Sequence, residues 1–339
     1  MEPGRKAAGG VETAARPAPL IVRFFQFFES LGVLTLLILV IIVASLIAGG
    51  FFTYTNITNT IIIASIAAVT GFGMTFAIAT GGFDLSVGSV QALTAITAAA
   101  LMQVTSMPLA ILGALAVGIC LGLINGVLVT RLRMPAFVAT FGMMSVIRGV
   151  ALLTTKGQSV MITGHREFAA INNGKLLDVP VPLLIVLVVF VLLYFLFRHT
   201  PFGRHVCAVG GNRRAAIASG INIDRTTLLV FSLVGLTAAI SGVMLSAQLL
   251  IVDGTLGTGF ELQTIAISVL GGTSLTGGSG NLAGTLIASL LLATISSALN
   301  ILKVAAFYQY LYLGLLLVLA LYLDTLRRDL IAKSILGRR

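Results

Sequence analysis

Charge is the scarcest property of this 339-residue chain. Only 9% of the residues are Asp, Glu, Lys or Arg, whereas 58% are hydrophobic, and the mean hydropathy is +1.08. Soluble domains carry roughly 25% charged residues, so this chain lacks the charge to cover a water-facing surface. Its apolar runs approach the roughly 20 residues that cross a bilayer core. They do not alternate with polar residues as barrel strands do, and we predict an all-α, multi-pass membrane protein.

Residues that carry catalytic or metal chemistry are also few. The chain has two cysteines, three histidines and no tryptophan. Cys120 and Cys207 are too few for a disulfide framework, and we interpret both as free thiols. His165, His199 and His205 have no cysteine or acidic partner at metal-ligand spacing. We therefore expect no catalytic residues and no metal site, which argues against an integral-membrane enzyme.

A phosphate-binding loop is missing as well. No Gly-x-x-x-x-Gly-Lys-Ser/Thr segment occurs, and the only Gly-Lys pair, Gly174-Lys175, is followed by Leu176. If the protein uses ATP, the nucleotide must bind to another chain. We therefore expect no cofactor in this one.

Ten apolar segments are candidate membrane helices. The eighth has only twelve residues, about 18 Å of helix, so it cannot cross a bilayer alone. It is either a partial helix or continues into the glycine-rich segment after it. The segments lie at about 31–48, 57–79, 86–104, 109–130, 136–155, 181–197, 227–248, 260–271, 282–302 and 308–323.

Positive charge sets the orientation of these segments. Lys and Arg are retained in cytoplasmic loops, and with the N-terminus inside, sixteen of the 21 basic residues fall on the cytoplasmic side and four outside. We expect cytoplasmic tails at 1–30 and 326–339 and a transmembrane domain at 31–325. Within it, 198–226 faces the cytoplasm and 156–180 is the largest outer loop. The same rule explains the net charge of +10 without nucleic-acid binding.

Two glycine-rich segments are the candidates for a transport pathway. Glycine permits positive φ and close backbone approach. Simple helix packing is one interpretation, and broken helices whose backbone lines a polar path are the other. The candidate pathway residues are Gly82, Asp84, Ser86, Ser89, Gln91, Gly271, Gly272, Thr273, Ser274 and Asn281, with Asn125, Gln248 and Asn300 as weaker candidates.

Ionisable residues within the apolar segments mark ion-driven transport, because charge inside a bilayer is costly. Arg148 is the main one, and we favour a structural role in which it snorkels or binds glycine-rich backbone. Asp84 and Glu261 each begin a segment, where an acid complements the helix dipole and caps free N–H groups. A proton-carrier role for either is the alternative. The near-absence of buried charge fits a neutral solute.

Short internal matches suggest a repeat. Residues 81–89 resemble 271–279, which implies a parallel repeat, and 82–85 resemble 259–262, which implies an inverted one. Ten segments divided five and five must be inverted. We therefore favour an inverted five-helix repeat, and the parallel one remains open.

The basic stretch 198–226 carries a pattern of its own. Pro201-Phe202-Gly203 is typical of a turn. Ala215 to Ser219 are followed by Gly220, a C-capping residue. The pattern predicts a short helix at the inner surface that a cytoplasmic protein could grip. An ordinary interfacial helix is the alternative.

From about residue 30 to 325 the chain resembles permease subunits of the ribose/xylose/arabinose/galactose-type ABC importers. The motifs that carry the resemblance are specific when taken together. They are Gly81-Gly82-Phe83-Asp84-Leu85-Ser86-Val87-Gly88-Ser89, Asn125-Gly126, Arg148-Gly149, Thr200-Pro201-Phe202-Gly203-Arg204, Gly210-Gly211-Asn212 and Leu270-Gly271-Gly272-Thr273-Ser274-Leu275-x-Gly277-Gly278-x-Gly280.

The resemblance implies an ATPase-docking loop. The family's Glu-Ala-Ala-x-x-x-Gly is matched by Arg214-Ala215-Ala216-x-x-x-Gly220. Because Arg214 replaces the acid, the specific salt bridge that an acid would make there is not expected, whereas the docking helix is. The coupling residues that the resemblance implies are Gly210, Gly211, Asn212, Arg214, Ala215, Ala216 and Gly220.

The same resemblance implies the partners. It predicts a homodimeric permease in the bacterial inner (plasma) membrane, with ABC ATPase subunits that hold ATP and Mg²⁺ on the cytoplasmic face. An extracytoplasmic sugar-binding protein would meet the outer loops, including 156–180. The expected solute is a monosaccharide. Alternatives are a nucleoside, inositol or a signalling furanose with the same architecture, or an ion-coupled secondary transporter that needs no ATP.

Overall fold

The structure, a computed structural model, describes residues 20–163, 166–305, 307–309, 311–319 and 322. The predicted tails lie outside these residues, apart from 20–30, which belong to the first helix. The helices of the bundle are α1 (Leu20–Ile47), α2 (Tyr54–Ala79), α3 (Val87–Met102), α4 (Met107–Thr130), α5 (Ala136–Thr155), α6 (Ala170–Asn173), α7 (Val181–His199), α8 (Pro201–Gly211), α9 (Arg213–Ala218), α10 (Ile223–Leu249), α11 (Phe260–Leu270), α12 (Leu282–Ile301) and α13 (Phe307–Leu319).

The chain is a multi-pass helical membrane protein. Six helices are long and apolar enough to span a bilayer, namely α2, α4, α5, α7, α10 and α12. The other four predicted segments also coincide with helices, namely α1, α3, α11 and α13. Of the last predicted segment, 308–323, the structure describes residues 308–309, 311–319 and 322. Whether all ten cross the membrane stays a prediction. The helix α1 begins at Leu20 rather than near residue 31, because the residues after Pro19 continue without a helix breaker.

Two helices, α2 and α10, form the centre of the bundle. In their most apolar stretches 89% of α2 and 61% of α10 is buried, against 17–22% of α4, α5 and α7. Phe72, Met74 and Phe76 of α2 have no exposed surface. The outer faces of α4, α5 and α7 are rich in exposed leucine, valine and phenylalanine. This distribution suits helices that meet lipid on one side and protein on the other.

The closest helix pair is held by small residues. Gly118, Gly122 and Gly126 recur every fourth position on α4 and face α10. A Cβ at Gly118 would lie 2.5 Å from Ala239 Cβ, and one at Gly126 would lie 3.1 Å from Leu228 Cα. Glycines at this spacing let two membrane helices approach to backbone contact.

Two short helices begin inside the bundle. The loop before α3 and the loop before α11 both enter it. Gly88, in the first turn of α3, meets Gly257 of the loop before α11, because a Cβ at Gly88 would overlap the carbonyl of Gly257. The two central helices pack in the same way around this meeting point. Helix α2 contacts α10 and the pair α11 and α12, and helix α10 contacts α2 and the pair α3 and α4. The eighth predicted segment is therefore a partial helix, Phe260–Leu270.

The loop 156–180 is folded onto the bundle. Its strand β1 (Val160–Met161) pairs antiparallel with β4 (Ile251–Val252), and β2 (Lys175–Leu176) pairs with β3 (Val179–Pro180). Phe168 is fully buried among residues of α3, α4 and α10. These two-residue strand pairs are the only sheet in the described residues and a minor departure from the all-α prediction.

Candidate functional site

The end of the bundle that carries the arginines, called the basic end below, is built from successive capped helices. Thr200 Oγ1 accepts the N–H of Gly203 at the start of α8, and Asn212 Oδ1 accepts the N–H of Ala215 at 3.0 Å at the start of α9. Such caps satisfy helix N–H groups that have no partner within the helix. The predicted turn at Pro201-Phe202-Gly203 is wrong, because Pro201 is the first residue of α8, where its missing N–H is not needed.

The helix α9 confirms the predicted short helix. It ends as the Gly220 pattern requires, since Gly220 has φ +77° and Ile221 N donates to Ala216 O at 3.0 Å. Arg214, Ala215 and Gly220 are exposed, as are Gly211 and Asn212 just before the helix.

Ala216 differs from the other predicted coupling residues. It is 3% exposed and packs with Val209 and Ile223, so it anchors α9 to its neighbours rather than presenting a surface. Its neighbour Ile217 is 62% exposed. A surface partner would therefore contact Ile217, a residue to which the motif did not point.

Three glycine-rich segments meet at the basic end, at a contact that we call the glycine junction: Ala79, Gly210, Gly211, Gly277 and Gly278. Gly278 N donates to Ala79 O at 2.8 Å, and a Cβ at Gly210 would overlap the Ala79 carbonyl and lie 2.7 Å from Gly278 N. The predicted coupling residues of α8 thus contact both of the loops that contain the predicted pathway residues.

The predicted pathway residues near α3 form a buried polar network, in which Asn125 Oδ1 has no hydrogen-bond partner among the described residues. Asp84 Oδ1 accepts Ser86 N at 2.8 Å and Ser86 Oγ at 2.6 Å, and Asn125 Nδ2 donates to Asp84 Oδ2 at 3.2 Å and to Ser86 Oγ at 2.8 Å. Asp84 is 1% exposed. Thr140 of α5 ties the loop down by accepting Leu85 N at 3.1 Å. The carboxyl group of Asp84 accepts the N–H of Ser86, the residue before α3, so it orders the entry to the helix, although it does not lie in the first turn as expected.

The other pathway candidates are separated from this network. Ser89 Oγ donates to Met144 O of α5 at 2.8 Å, and Gln91 Nε2 donates to Ser241 Oγ of α10 at 2.7 Å. Between α11 and α12, Asn281 Oδ1 caps Gly284 N at 3.0 Å. The remaining candidates belong to these loops, with Gly82 half-buried before α3, Gly271 and Gly272 ending α11, and Thr273 and Ser274 following them.

Arg148 binds the glycine-rich backbone, as predicted. Its Nη1 donates to Gly254 O at 2.7 Å and Leu256 O at 2.6 Å, in the loop that leads into α11. In the same loop, Asp253 Oδ1 accepts Thr255 Oγ1 at 2.6 Å and Thr255 N at 2.7 Å, and these bonds together with nearby Arg148 lower the pKa of Asp253. The loop is therefore held rigid from both sides.

Cavities open at both ends of the bundle. At the basic end a cavity of about 660 Å³ lies between Gly82, Arg133 of the α4–α5 loop, and Arg213 and Ile217 of α9. Nearer the opposite end a cavity of about 340 Å³ is lined by Gln91, and an adjoining one of about 410 Å³ shares Ile63 and Gln248 with it. Of the predicted pathway residues, Gly82 lines the first and Gln91 the second.

Sequence reasoning missed several residues of these sites. No motif points to Thr140, which binds the loop before α3, and Asn125, a weaker candidate, is the centre of the Asp84 network. Nor does a motif point to Gln263 or Gln309, which line the cavity with Gln91. A usable signal was present, because uncharged amides are costly in apolar segments and usually mark hydrogen-bonded or solvent-lined positions. Within the described residues, no group of acids, histidines and cysteines could hold a metal ion.

Comparisons with known proteins agree with this architecture. The family model described as branched-chain amino acid transport system / permease component matches residues 56–321. The ribose import permease protein RbsC of Escherichia coli K12 is 40% identical over 301 residues, covering 87% of this chain and 93% of the relative. The L-arabinose ABC transporter permease protein AraH of Azospirillum brasilense is 36% identical over 330 residues, covering 97% of each.

The D-allose transport system permease protein AlsC of Escherichia coli K12 is 36% identical over 308 residues, covering 89% of this chain and 94% of the relative. No solved structure matches the chain significantly.

Proposed function

The chain belongs to the family of branched-chain amino acid transport system / permease components, and from that premise we propose that it is the membrane-spanning subunit of an ATP-driven importer for a monosaccharide. The observation that carries the proposal is the glycine junction. It puts the end of α8 in backbone contact with the end of α2 and with the loop between α11 and α12. Relatives named for ribose, L-arabinose and D-allose support the solute class.

The docking surface for the ATPase is the exposed part of residues 211–220. It combines the arginines Arg213 and Arg214 with the exposed apolar side chain of Ile217. Exposed apolar side chains beside arginine are typical of interface centres. Because Arg214 stands where the family motif has an acid, this position cannot pair with a cation of the partner, and Ile217 supplies the apolar contact.

Force is transmitted through the glycine junction. Any displacement of α8 must move the backbones of Ala79 and Gly278, because no side chain lies between them and Gly210 to absorb it. Ala79 ends α2, and Gly278 belongs to the loop between α11 and α12. Movement of α8 would therefore shift the loops at the basic end and change access to the cavity there.

The topology completes the proposal. Ten membrane segments with both termini in the cytoplasm place the basic end inside and the loop 156–180 outside. The reciprocal packing of α2 and α10 is compatible with an internal repeat, and five membrane segments in each half favour the inverted one. ATP and Mg²⁺ belong to separate ATPase subunits, a sugar-binding protein meets the outer loops, and a second copy of the permease completes a homodimer in the bacterial inner membrane.

The ion-coupled alternative has weaker support. Asp84 is bound to Ser86 and Asn125. Glu261 lies beside the glycines where α3 and α11 meet, and its Oε2 has no hydrogen-bond partner in the described part of the chain. A proton carrier needs a relay between the two sides of the membrane. Among the described residues, the hydrogen bonds of neither acid lead into one.

Uptake by the reconstituted importer tests the proposal. Proteoliposomes that contain the permease, its ATPase and its binding protein are supplied with radiolabelled D-ribose, L-arabinose or D-allose while ion gradients are collapsed. We expect uptake of at least one sugar with ATP and none with a non-hydrolysable ATP analogue, because separate motor subunits supply the work. In a parallel assay with an imposed ion gradient and no ATP, equal uptake that is lost in Asp84→Asn or Glu261→Gln would establish the secondary transporter instead.

A further inference from the structure

A row of neutral amides leads from one end of the bundle to its middle. The two adjoining cavities of about 340 and 410 Å³ lie within the range of roughly 300–1,000 Å³ typical of small-molecule sites. We call their amide-bearing lining the amide groove, which is defined by Asn56, Asn59, Gln91, Gln248, Gln263, Asn300 and Gln309.

The groove is deep. Asn56 and Asn59 lie in the first two turns of α2, and Ala67 lines the inner cavity. The eleven positions from Asn56 to Ala67 correspond to about 16 Å along the helix, which is about half of a hydrocarbon core of roughly 30 Å. The groove therefore starts at the end opposite the glycine junction and stops near the place where α3 and α11 begin.

The residues that line the groove favour a solute that forms hydrogen bonds over one that carries a charge. An amide has a carbonyl acceptor and two N–H donors, which suit hydroxyl groups that both donate and accept. Part of this capacity is used within the protein, because Asn56 bonds Phe51 O and Ser297 Oγ and Gln309 Nε2 donates to Asn300 Oδ1. Ser296 and Tyr312 add hydroxyls, while Ile66 and Phe260 supply apolar surface for C–H groups. No charged side chain is among the described residues that line the two cavities. An ion would enter without a counter-charge, whereas a neutral polyhydroxylated solute meets its partners.

Gln91 closes the inner end with an unused acceptor. Its Nε2 donates to Ser241 Oγ at 2.7 Å, and Ser241 Oγ in turn donates to Ile66 O at 3.1 Å, so the amide is fixed in one orientation. Gln91 is fully buried, and its Oε1 has no hydrogen-bond partner among the described residues. Buried acceptors are normally satisfied. A hydroxyl group of a bound solute in the cavity would satisfy this one.

We infer that the amide groove is a monosaccharide-binding subsite on the outer half of the translocation path. This inference rests on the proposed function and assigns residues to it. The subsite would receive the sugar from the outer face and hold it above the meeting point of α3 and α11 until the loops at the glycine junction move. The Asp84 network, which lies closer to the basic end, then has a structural role at the entry to α3.

Removal of the amides at two half-buried positions tests the groove. In the complete importer, the Gln248→Leu/Gln263→Leu double variant keeps side-chain volume and loses only hydrogen-bonding groups. We expect its ATP-driven uptake of the transported sugar, among labelled D-ribose, L-arabinose and D-allose, to fall by at least about tenfold, because each lost bond to a hydroxyl weakens binding along the path. ATP hydrolysis stimulated by the binding protein should stay within about twofold, since the docking surface is untouched.

Two further variants make the result specific. Gln103→Leu changes an exposed glutamine at the end of α3, outside the groove, and should leave uptake unchanged. Gln248→Asn/Gln263→Asn keeps the amides and should retain more uptake than the leucine pair. Unchanged uptake in the leucine pair, or a parallel loss of uptake and stimulated ATP hydrolysis, would overturn the subsite while leaving the proposed function intact. If the unaltered importer moves none of the three sugars with ATP, the proposed function fails and the subsite fails with it.

Discussion

Replacement of Gly210 by alanine is expected to abolish coupled uptake. The added Cβ would overlap the carbonyl of Ala79 and lie 2.7 Å from Gly278 N, and both are backbone atoms that cannot rotate away. The junction must open, which breaks the 2.8 Å hydrogen bond from Gly278 to Ala79 and costs on the order of 1–3 kcal/mol. We expect sugar uptake to fall by about a hundredfold per ATP hydrolysed, because the motor then moves α8 without the loops.

The adjacent glycine provides the matched control. A Cβ at Gly211 would lie 3.6 Å from Gly278 Cα, an ordinary van der Waals contact, so Gly211→Ala should retain nearly normal uptake. Both variants are compared for melting temperature, for ATPase binding and for the ratio of uptake to hydrolysis. If Gly210→Ala and Gly211→Ala transport alike, the glycine junction does not carry force.

Replacement of Gly88 by alanine is expected to separate the two partial helices. Its Cβ would overlap the carbonyl of Gly257 and lie 2.7 Å from Glu261 Oε2, so α3 and α11 could not keep their present distance. Overpacking of this kind costs about 1–3 kcal/mol. We expect a melting temperature lower by several degrees, roughly 2–4 °C per kcal/mol for domains of 150–250 residues, and loss of uptake. Thermal unfolding of the purified permease in detergent measures the first effect.

Gly149 is the control for Gly88. It lies in α5, and nothing is within 4 Å of the position of its Cβ. Gly149→Ala should be neutral or slightly stabilising, because alanine is the better helix former by about 1 kcal/mol. A melting temperature for Gly88→Ala equal to that of Gly149→Ala would show that the meeting of α3 and α11 tolerates a side chain.

Local features of the fold were predictable from the sequence because they depend on neighbouring residues. The apolar runs predicted where the helices lie. The short run at 260–271 indicated a partial helix, and Gly220 indicated the end of α9. The start of α1 and the start of α8 were misjudged. The helix α1 begins at Leu20, before its apolar run, and Pro201, interpreted as part of a turn, is the first residue of α8, a position that suits proline.

The candidate site was less predictable because its contacts join distant parts of the chain. Asn125 is 41 positions from Asp84, and Gln91 is 150 positions from Ser241. Glycine-rich segments indicate that another segment packs closely against them, but not which one. The contacts of the glycine junction therefore could not be predicted from the spacing of its glycines. The side of a six-residue helix that faces inward is also set by packing, which is why the motif suggested Ala216 as a contact although Ile217 is the exposed residue.

The central claim is that a separate ATPase binds the exposed surface of residues 211–220, and Ile217→Asp tests it most directly. A carboxylate at this 62% exposed position is harmless in water but would be buried without a counter-charge in an apolar interface. We predict that co-purification of the co-expressed ATPase subunit falls by at least about tenfold, while the permease keeps its melting temperature. Leu176→Asp, at a 61% exposed apolar residue of the loop 156–180, should leave co-purification unchanged. Full binding of the ATPase to folded Ile217→Asp permease would contradict the account.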